Sequence, residues 1–344
     1  MEDLLLPRKR IVIQLVVILI ALLSACSADV DSSGKGSLVI YSGRSESLVA
    51  PIIEDFAEAT GIDVKVRYGS TSEIAATLLE EGANSPADIF FAQDPGGLGA
   101  IASEGLLFAL PNEILSLVEE RFISPQNLWV GISGRARVVV YNTDTLSPDE
   151  LPSDMWGFTE PEWKGRIGLP PTNGSFQTMV TAMRELWGEE QTRDWLLGIM
   201  ANEPIFYEKN TPTVAAVAAG EVEVGFVNHY YLHRFLAEEG DSFSARNFYL
   251  SNAGPGSLVM VAGAGRLASG DNEANALAFL EFLLSSQAQQ YFAEETFEYP
   301  LGEGVNQASN LTSLSEIDIP TISLGQLSDI RGTVVLLQEV GMLP

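Results

Sequence analysis

The sequence predicts an α/β protein of two lobes with a ligand cleft between them. Three observations carry that reading. Strand-length apolar runs alternate with helical patterns, the alternation begins afresh near the middle of the chain, and no repeat or long low-complexity segment interrupts it. In the first block Leu38 to Tyr41 reads as a buried strand. Leu48, Val49, Ile52, Ile53 and Phe56 then recur at helical spacing, giving a helix over 46–59 ended by Gly61. A strand over 62–68, a helix over 72–81 and a short apolar strand over 87–92 follow, which is the order of a parallel sheet with crossover helices.

The second block opens with a strand over 138–141 and a connection over 143–165 rich in Pro and Trp. Ile167 to Leu169 leads through Pro170-Pro171-Thr172-Asn173-Gly174 into a helix from about 175. Helices near 190–200 and 212–219 alternate with strands near 205–207 and 222–227. A helix over 229–240, a strand over 258–262, helices near 273–284 and 286–295, and a C-terminal helix near 325–341 complete the chain. Two α/β lobes imply a cleft between them, where ligands commonly bind.

Composition narrows the function. The chain has 344 residues, enough for one large or two medium domains, and 46% hydrophobic content excludes disorder. Asp and Glu outnumber Lys and Arg by 46 to 19, for a net charge of -27, which argues against nucleic acid and anionic lipid as partners. A single cysteine excludes an internal disulfide and a thiolate metal cluster. That cysteine ends a distinctive N-terminus. Arg8, Lys9 and Arg10 precede a 13-residue apolar run, Ile11 to Leu23, interrupted only by Gln14, which suits a signal peptide better than a membrane span. Leu23-Ser24-Ala25-Cys26 resembles the bacterial lipobox, which implies a signal peptide over 1–25, lipidation of Cys26 and a small polar tether over 26–36.

Enzyme motifs are mostly missing. Gly131-Ile132-Ser133-Gly134-Arg135 fails the G-x-S-x-G pattern at its last position, and neither a phosphate loop nor a G-x-G-x-x-G fingerprint occurs. His229 and His233 have the i, i+4 spacing of a helical zinc pair, which leaves a metal-dependent hydrolase as one alternative. Tyr230, however, stands where H-E-x-x-H needs its glutamate. Asn228-His229-Tyr230-Tyr231 sits at a strand-to-helix junction, the irregular geometry in which two consecutive tyrosines can converge. With Tyr141 at another strand end, three phenols suit a hard trivalent cation, since phenolates would neutralise its charge; packing at the ends of the sheet is the other reading. Thr172-Asn173-Gly174-Ser175 opens a helix, a place that suits either simple capping or an anion. Arg44, Arg135 and Arg137 could grip a carbonate or phosphate or form ordinary ion pairs, and Arg135 and Arg137 would point the same way along a strand.

These residues, with Val39 to Arg44, Ser85 to Phe90, Ser133 to Tyr141, Trp163 to Gly168, Lys209-Asn210 and Glu298 to Leu301, make residues 38–344 resemble the bacterial ferric-iron-binding proteins of ABC importers. The asparagine followed at short range by paired tyrosines is the specific element. The resemblance implies a periplasmic-binding-protein-like clamp of the Venus-flytrap kind, with an N-lobe over 37–134 and 260–310 and a C-lobe over 135–259 and 311–344. It implies Tyr230 and Tyr231 as ferric ligands, with Tyr141 as the third tyrosine of some branches. Asn173, Gly174, Ser175, Asn210 and Asn228 fall where the family binds its synergistic anion, carbonate, bicarbonate or phosphate, and Arg44 and Arg135 where some branches hold carbonate. The sequence departs from the pattern where some members have a histidine after the first strand and a glutamate after the third: here stand Ser45 and Gln93, the latter followed by Asp94. The expected protein is thus no enzyme but a monomeric, extracytoplasmic, lipid-anchored binder of ferric iron serving a membrane permease. A binder of thiamine, a polyamine or a phosphonate is the alternative on the same fold.

The lipobox reading is tested by Cys26→Ser. The variant is expected to incorporate no labelled lipid while its ligand binding stays unchanged, because the tether separates anchor from fold; labelled lipid on the variant would refute the reading.

Overall fold

The computed structural model describes residues 36–302 and 304–344. Segment 1–25, Cys26 and all of the tether but Gly36 lie outside the described residues. The strands are β1 (Ser37–Ser42), β2 (Asp63–Tyr68), β3 (Ile89–Ala92), β4 (Val130–Asn142), β5 (Ile167–Leu169), β6 (Ile205–Phe206), β7 (Val224–Asn228), β8 (Ala245–Phe248), β9 (Val259–Arg266) and β10 (Tyr299–Pro300). The helices are α1 (Glu46–Thr60), α2 (Thr71–Glu81), α3 (Pro95–Ser103), α4 (Asn112–Leu115), α5 (Gly174–Trp187), α6 (Glu189–Ala201), α7 (Asn210–Ala218), α8 (Tyr230–Glu239), α9 (Glu273–Leu283), α10 (Ser286–Glu294) and α11 (Ile330–Glu339).

Local chemistry sets the element ends. Gly61 stops α1 in the left-handed region at φ 71°. Ser70 and Glu73 close a capping box at the start of α2. Asn173 caps α5 by accepting from the Ser175 N–H.

The strands run in the order β2-β1-β3-β9-β4-β7-β5-β6, with β8 and β10 also paired to β4. β1, β2 and β3 are parallel, as are β5, β6 and β7. The sheet is nevertheless mixed rather than purely parallel, because β9 and β4 enter antiparallel to their neighbours. β4 is the reason. Its first half pairs with β9 and β10, its second half with β7 and β8, so one 13-residue strand belongs to both lobes. All of it is buried, as a strand covered on both faces must be.

Two large cores divide the same way. Leu38, Ile40, Phe56, Phe90 and Phe279 belong to the first; Val139, Phe158, Trp163, Trp195 and Phe226 belong to the second. A smaller cluster of Val138, Val140, Val217 and Leu232 covers the other face of the second lobe. The C-terminal return differs from the 311 boundary read from the sequence. Leu311, Ile317, Leu324 and Leu327 still pack in the first core, and only α11, through Leu336 and Leu337, joins the second. Residues 311–327 carry apolar side chains without strong periodicity, so the sequence alone does not say which core takes them.

The β3–α3 turn is fixed by close packing. Thr71 Oγ1 accepts from the Gln93 N–H at 3.0 Å, and Thr71 lies so near Gly97 that a Cβ there would meet its Cγ2 at 2.3 Å. Gly97→Ala is therefore expected to destabilise the fold by about 1–3 kcal/mol through overpacking. Gly254→Ala, at ordinary φ with open space around it, is expected to stay within about 0.5 kcal/mol of the parent. Urea denaturation of both variants checks the contrast.

Candidate functional site

Six strand-to-helix junctions face one another across a cleft of about 770 Å³. Gly43 and Ser45 follow β1, Gly69 to Ser72 follow β2, and Gln93 and Asp94 follow β3. From the other lobe Thr172 to Ser175 follow β5, Lys209 and Thr211 follow β6, and Tyr231 follows β7. The cleft thus lies at the carboxyl ends of the two parallel strand sets, where α/β sheets place ligands.

Asn228 ends β7 and Tyr230 begins α8, with His229 already in helical backbone between them. The change of backbone brings the Tyr230 and Tyr231 rings together, stacked with centroids 4.2 Å apart. Tyr230 is fully buried. Burial, then the neighbouring Tyr231, push its phenol well above the ordinary value, while Arg135 pulls the other way. Gln93 Nε2 reaches the Tyr230 hydroxyl at 3.5 Å, a long contact.

β4 supplies the charge opposite the phenols. Arg135 and Arg137 lie on one face of the strand on either side of the lobe junction: Arg135 is paired with Met260 and Arg137 with Asn228. Both are fully buried. Arg135 donates to the Gln93 and Val261 carbonyls, and Arg137 donates to Asn228 Oδ1 at 3.0 Å. Arg135 Nε and Nη1 and Arg137 Nε and Nη2 have no partner. Burial lowers the Arg137 pKa to about 9 against the pull of Tyr231. Guanidinium donors left unpaired in a buried site are costly and suit an anion. Among the described residues every Lys and Arg has a carboxylate oxygen within 4.0 Å except Arg135, Arg137, Arg234, Arg246 and Arg331. Of these, Arg234 lines the cleft mouth.

The five residues expected to hold an anion form one polar chain from Arg137. Asn228 Nδ2 donates to Ser175 Oγ at 3.1 Å, and the Ser175 N–H donates to Asn173 Oδ1 at 3.0 Å. Asn210 Nδ2 donates to the same Oδ1 at 3.3 Å. Asn210 Oδ1 is buried without a partner. Gly174, the first residue of α5, faces Asp94 across the cleft: a Cβ on Gly174 would lie 3.4 Å from Asp94 Oδ2. Burial raises the Asp94 pKa, opposed by Arg135 and the Gly97 and Gly96 N–H groups.

Two expected site residues are not free for the site, one by its place and one by its partner. Tyr141 lies on β4 four residues beyond Arg137, opposite Val224 where Arg137 is opposite Asn228. At about 3.4 Å per residue that is roughly 14 Å from the Asn228 end of the pairing, and its ring packs in the second core. Tyr141 is therefore not brought to the tyrosine pair. Arg44 is in reach of both phenols, but its terminal nitrogens are taken by the Glu298 carboxylate at 2.9 and 2.8 Å. It is no free anion-holding group. Glu298, the partner of Arg44, has no role in the sequence reading, since the two stand 254 positions apart.

The histidine pair is likewise unavailable for a metal. The Ala136 N–H donates to His229 Nδ1 at 3.1 Å, so Nε2 carries the proton and donates to the Phe297 carbonyl at 2.8 Å. Both ring nitrogens are used, and the ring stacks on Tyr299. No group of three or more His, Cys, Asp or Glu able to hold a metal occurs among the described residues. The hydrolase reading therefore has no metal-binding pair behind it.

Burial first, then His233, depresses the His229 pKa to about 3; burial, then Arg246, takes His233 to about 4. Because the unfolded chain takes up those protons near pH 6.5, stability from this source is complete above that pH and falls as pH drops toward 4 and 3. The Tm of the parent is expected to decline across this range more steeply than that of His229→Gln, whose amide keeps a donor and an acceptor without titrating. Equal slopes in thermal scans against pH would refute this.

Comparison with known proteins agrees with this geometry. Residues 84–323 match the family described as bacterial extracellular solute-binding protein. The chain is 33% identical to an Fe(3+)-binding periplasmic protein of Serratia marcescens, covering 94% of this chain and 95% of the relative. It superposes on iron-bound HitA from Pseudomonas aeruginosa with a TM-score of 0.84 at 34% identity, covering 89% of this chain and 99% of that one. It superposes on a Trichodesmium IdiA (FutA) structure in complex with iron and citrate with a TM-score of 0.79 at 29% identity, covering 89% and 99%. A two-lobed α/β clamp whose ligand cleft lies at the strand ends, matched by these relatives over nearly all its described length, belongs to the bacterial extracellular solute-binding protein family.

Proposed function

We propose that this protein captures ferric iron outside the cytoplasmic membrane and delivers it to an ABC-type permease, anchored by a lipid on Cys26. Tyr230 and Tyr231 are the phenolate ligands. An exogenous anion, carbonate, bicarbonate or phosphate, completes the site, held by Arg135, Arg137, Asn173, Gly174, Ser175, Asn210 and Asn228. One observation carries the reading: two stacked phenols lie within electrostatic reach of two buried guanidiniums that keep unpaired N–H groups.

The chemistry follows from charge. In the metal-free protein burial keeps Tyr230 protonated, so ferric iron binds by displacing phenol protons, and its affinity falls as pH falls. Two phenolates leave most of the ferric coordination positions open, and Ser45 and Gln93 offer only neutral oxygens. An anion bridging the metal and the guanidiniums fills the shell and supplies the hydrogen-bond acceptors those N–H groups lack. Asp94 is the competing donor, but it is buried against Gly174 with its pKa raised. A phosphonate binder on the same fold is favoured by the same unpaired guanidinium donors. Colour separates the two, since ferric tyrosinate absorbs visible light.

Tyr230→Phe and Tyr231→Phe are each expected to weaken ferric binding by at least about a hundredfold, the order expected when a charged ligand is lost from a buried site, and to shift or abolish the visible band. Ferric titration of anion-depleted protein is expected to show weak binding that bicarbonate restores, and Arg135→Ala is expected to lose that restoration. Parent-like binding by both tyrosine variants, or equal affinity with and without anion, would refute the assignment.

A further inference from the structure

The Arg44–Glu298 pair is the one ion pair among the described residues with both side chains essentially inaccessible, at 0% and 1% exposure. Its geometry is a parallel fork, Nη1 to Oε1 and Nη2 to Oε2. Ser133 Oγ donates to Oε2 at 2.9 Å, and Thr296 Oγ1, which donates to the Phe292 carbonyl at 2.8 Å, lies 3.3 Å from the same oxygen, so the carboxylate is held by more than the guanidinium. Glu298 immediately precedes β10, whose Tyr299 pairs with Gly134 on β4, so the carboxylate is seated beside the strand that carries Arg135 and Arg137. The pair is within electrostatic reach of the site: Arg44 acts on both phenols, and Glu298 acts on Tyr230 and is acted on by Arg135.

Three buried arginines therefore surround the phenols, and they divide into two kinds. Arg135 and Arg137 keep two unpartnered nitrogens each. Arg44 keeps only Nε, because a carboxylate of the chain has both its terminal nitrogens. A carboxylate on a guanidinium fork has the shape and hydrogen-bond pattern of a bound carbonate or carboxylic anion.

We infer that Glu298 is a specificity-determining positioning residue: its carboxylate stands where Arg44 would otherwise take an exogenous anion, so the cleft accepts one such anion, at Arg135 and Arg137, and not two. The inference rests on the reading that the cleft binds an anion at all. Glu298 touches neither cargo nor anion. It acts by neutralising Arg44 and so sets how much negative charge the site demands.

The experiment measures inorganic phosphate binding to the metal-free protein by calorimetry, for the parent, Glu298→Gln, Glu298→Asp and Arg135→Ala. Glu298→Gln nearly preserves shape and removes the charge. Its amide gives Arg44 one acceptor where it had two, and the cluster gains one unit of positive charge. Phosphate is expected to bind it on the order of tenfold more tightly than the parent. Glu298→Asp changes shape and keeps the charge, so its affinity should lie nearer the parent's than that of the Gln variant. A role in packing alone predicts the reverse order, with Gln the milder change, and no gain in affinity. A folded Glu298→Gln protein that binds phosphate no more tightly than the parent, while Arg135→Ala binds it more weakly, would overturn this inference and leave the anion site standing. Parent-like binding by Arg135→Ala would instead overturn the anion reading beneath it. Should the Gln variant not fold, the parent's stoichiometry decides: one phosphate per cleft is expected, and two would overturn the inference.

Discussion

The structure depends on β4 being one strand for two lobes. Its thirteen residues are buried from Val130 to Asn142, and at its middle, where it leaves one sheet for the other, it carries Arg135 and Arg137. A strand interior normally excludes charge, since an uncompensated buried ion costs several kcal/mol. The cost is offset in part by the Gln93 carbonyl and Asn228 Oδ1 as partners, the first from a residue that lines the cleft. Both guanidiniums still keep hydrogen-bond capacity that no group of the protein uses. The same strand explains the mixed sheet: crossing between lobes forces antiparallel neighbours at the centre, and the parallel sets remain at the flanks, where their carboxyl ends open on the cleft.

Charge is distributed to the same end. A chain of net charge -27 presents a negative field to solvent, which attracts cations. Beneath the cleft lining the local sign differs, because Arg135 and Arg137 are buried there. Among the described residues ten of the other thirteen cations pair with carboxylates, most at the surface, whereas Arg135 and Arg137 have no carboxylate oxygen within 4.0 Å. On the proposed reading the surface field favours approach of the metal and the two buried guanidiniums retain its counter-anion.

Much of this was legible in the sequence, and the boundary of legibility is physical. Local signals were sufficient for the helix over 46–59 with its Gly61 stop, for a helix opening at Thr172 to Ser175, and for the junction that brings two consecutive tyrosines face to face, because a few neighbouring residues decide each. Tyr141 was misplaced because its position depends on strand register: four residues along β4 separate a cleft residue from a core residue, and no local pattern marks the difference. Arg44 and Glu298 were separated for a related reason. An ion pair spanning 254 positions leaves no trace in the spacing of either partner. His229 read as a possible ligand because spacing alone cannot show that backbone groups at Ala136 and Phe297 already use both ring nitrogens.

The division of labour between lobes follows from which side chains remain free. The second lobe contributes both phenols, Asn228, and the start of α5 with its Asn173–Ser175–Asn210 network. The first contributes Ser45, Thr71, Gln93 and Asp94, of which only Asp94 can carry charge, and its burial opposes that charge. Every strong donor for a metal or an anion is therefore on β4 or beyond it, in parts rigidly joined by the β4–β7 pairing. A cargo held by phenolates would sit on one lobe and its junction strand, and the other lobe would close over it with weak, neutral contacts. Weak contacts suit that role, because closure must be reversible for delivery, and a first lobe that gripped the cargo with charged ligands would resist opening.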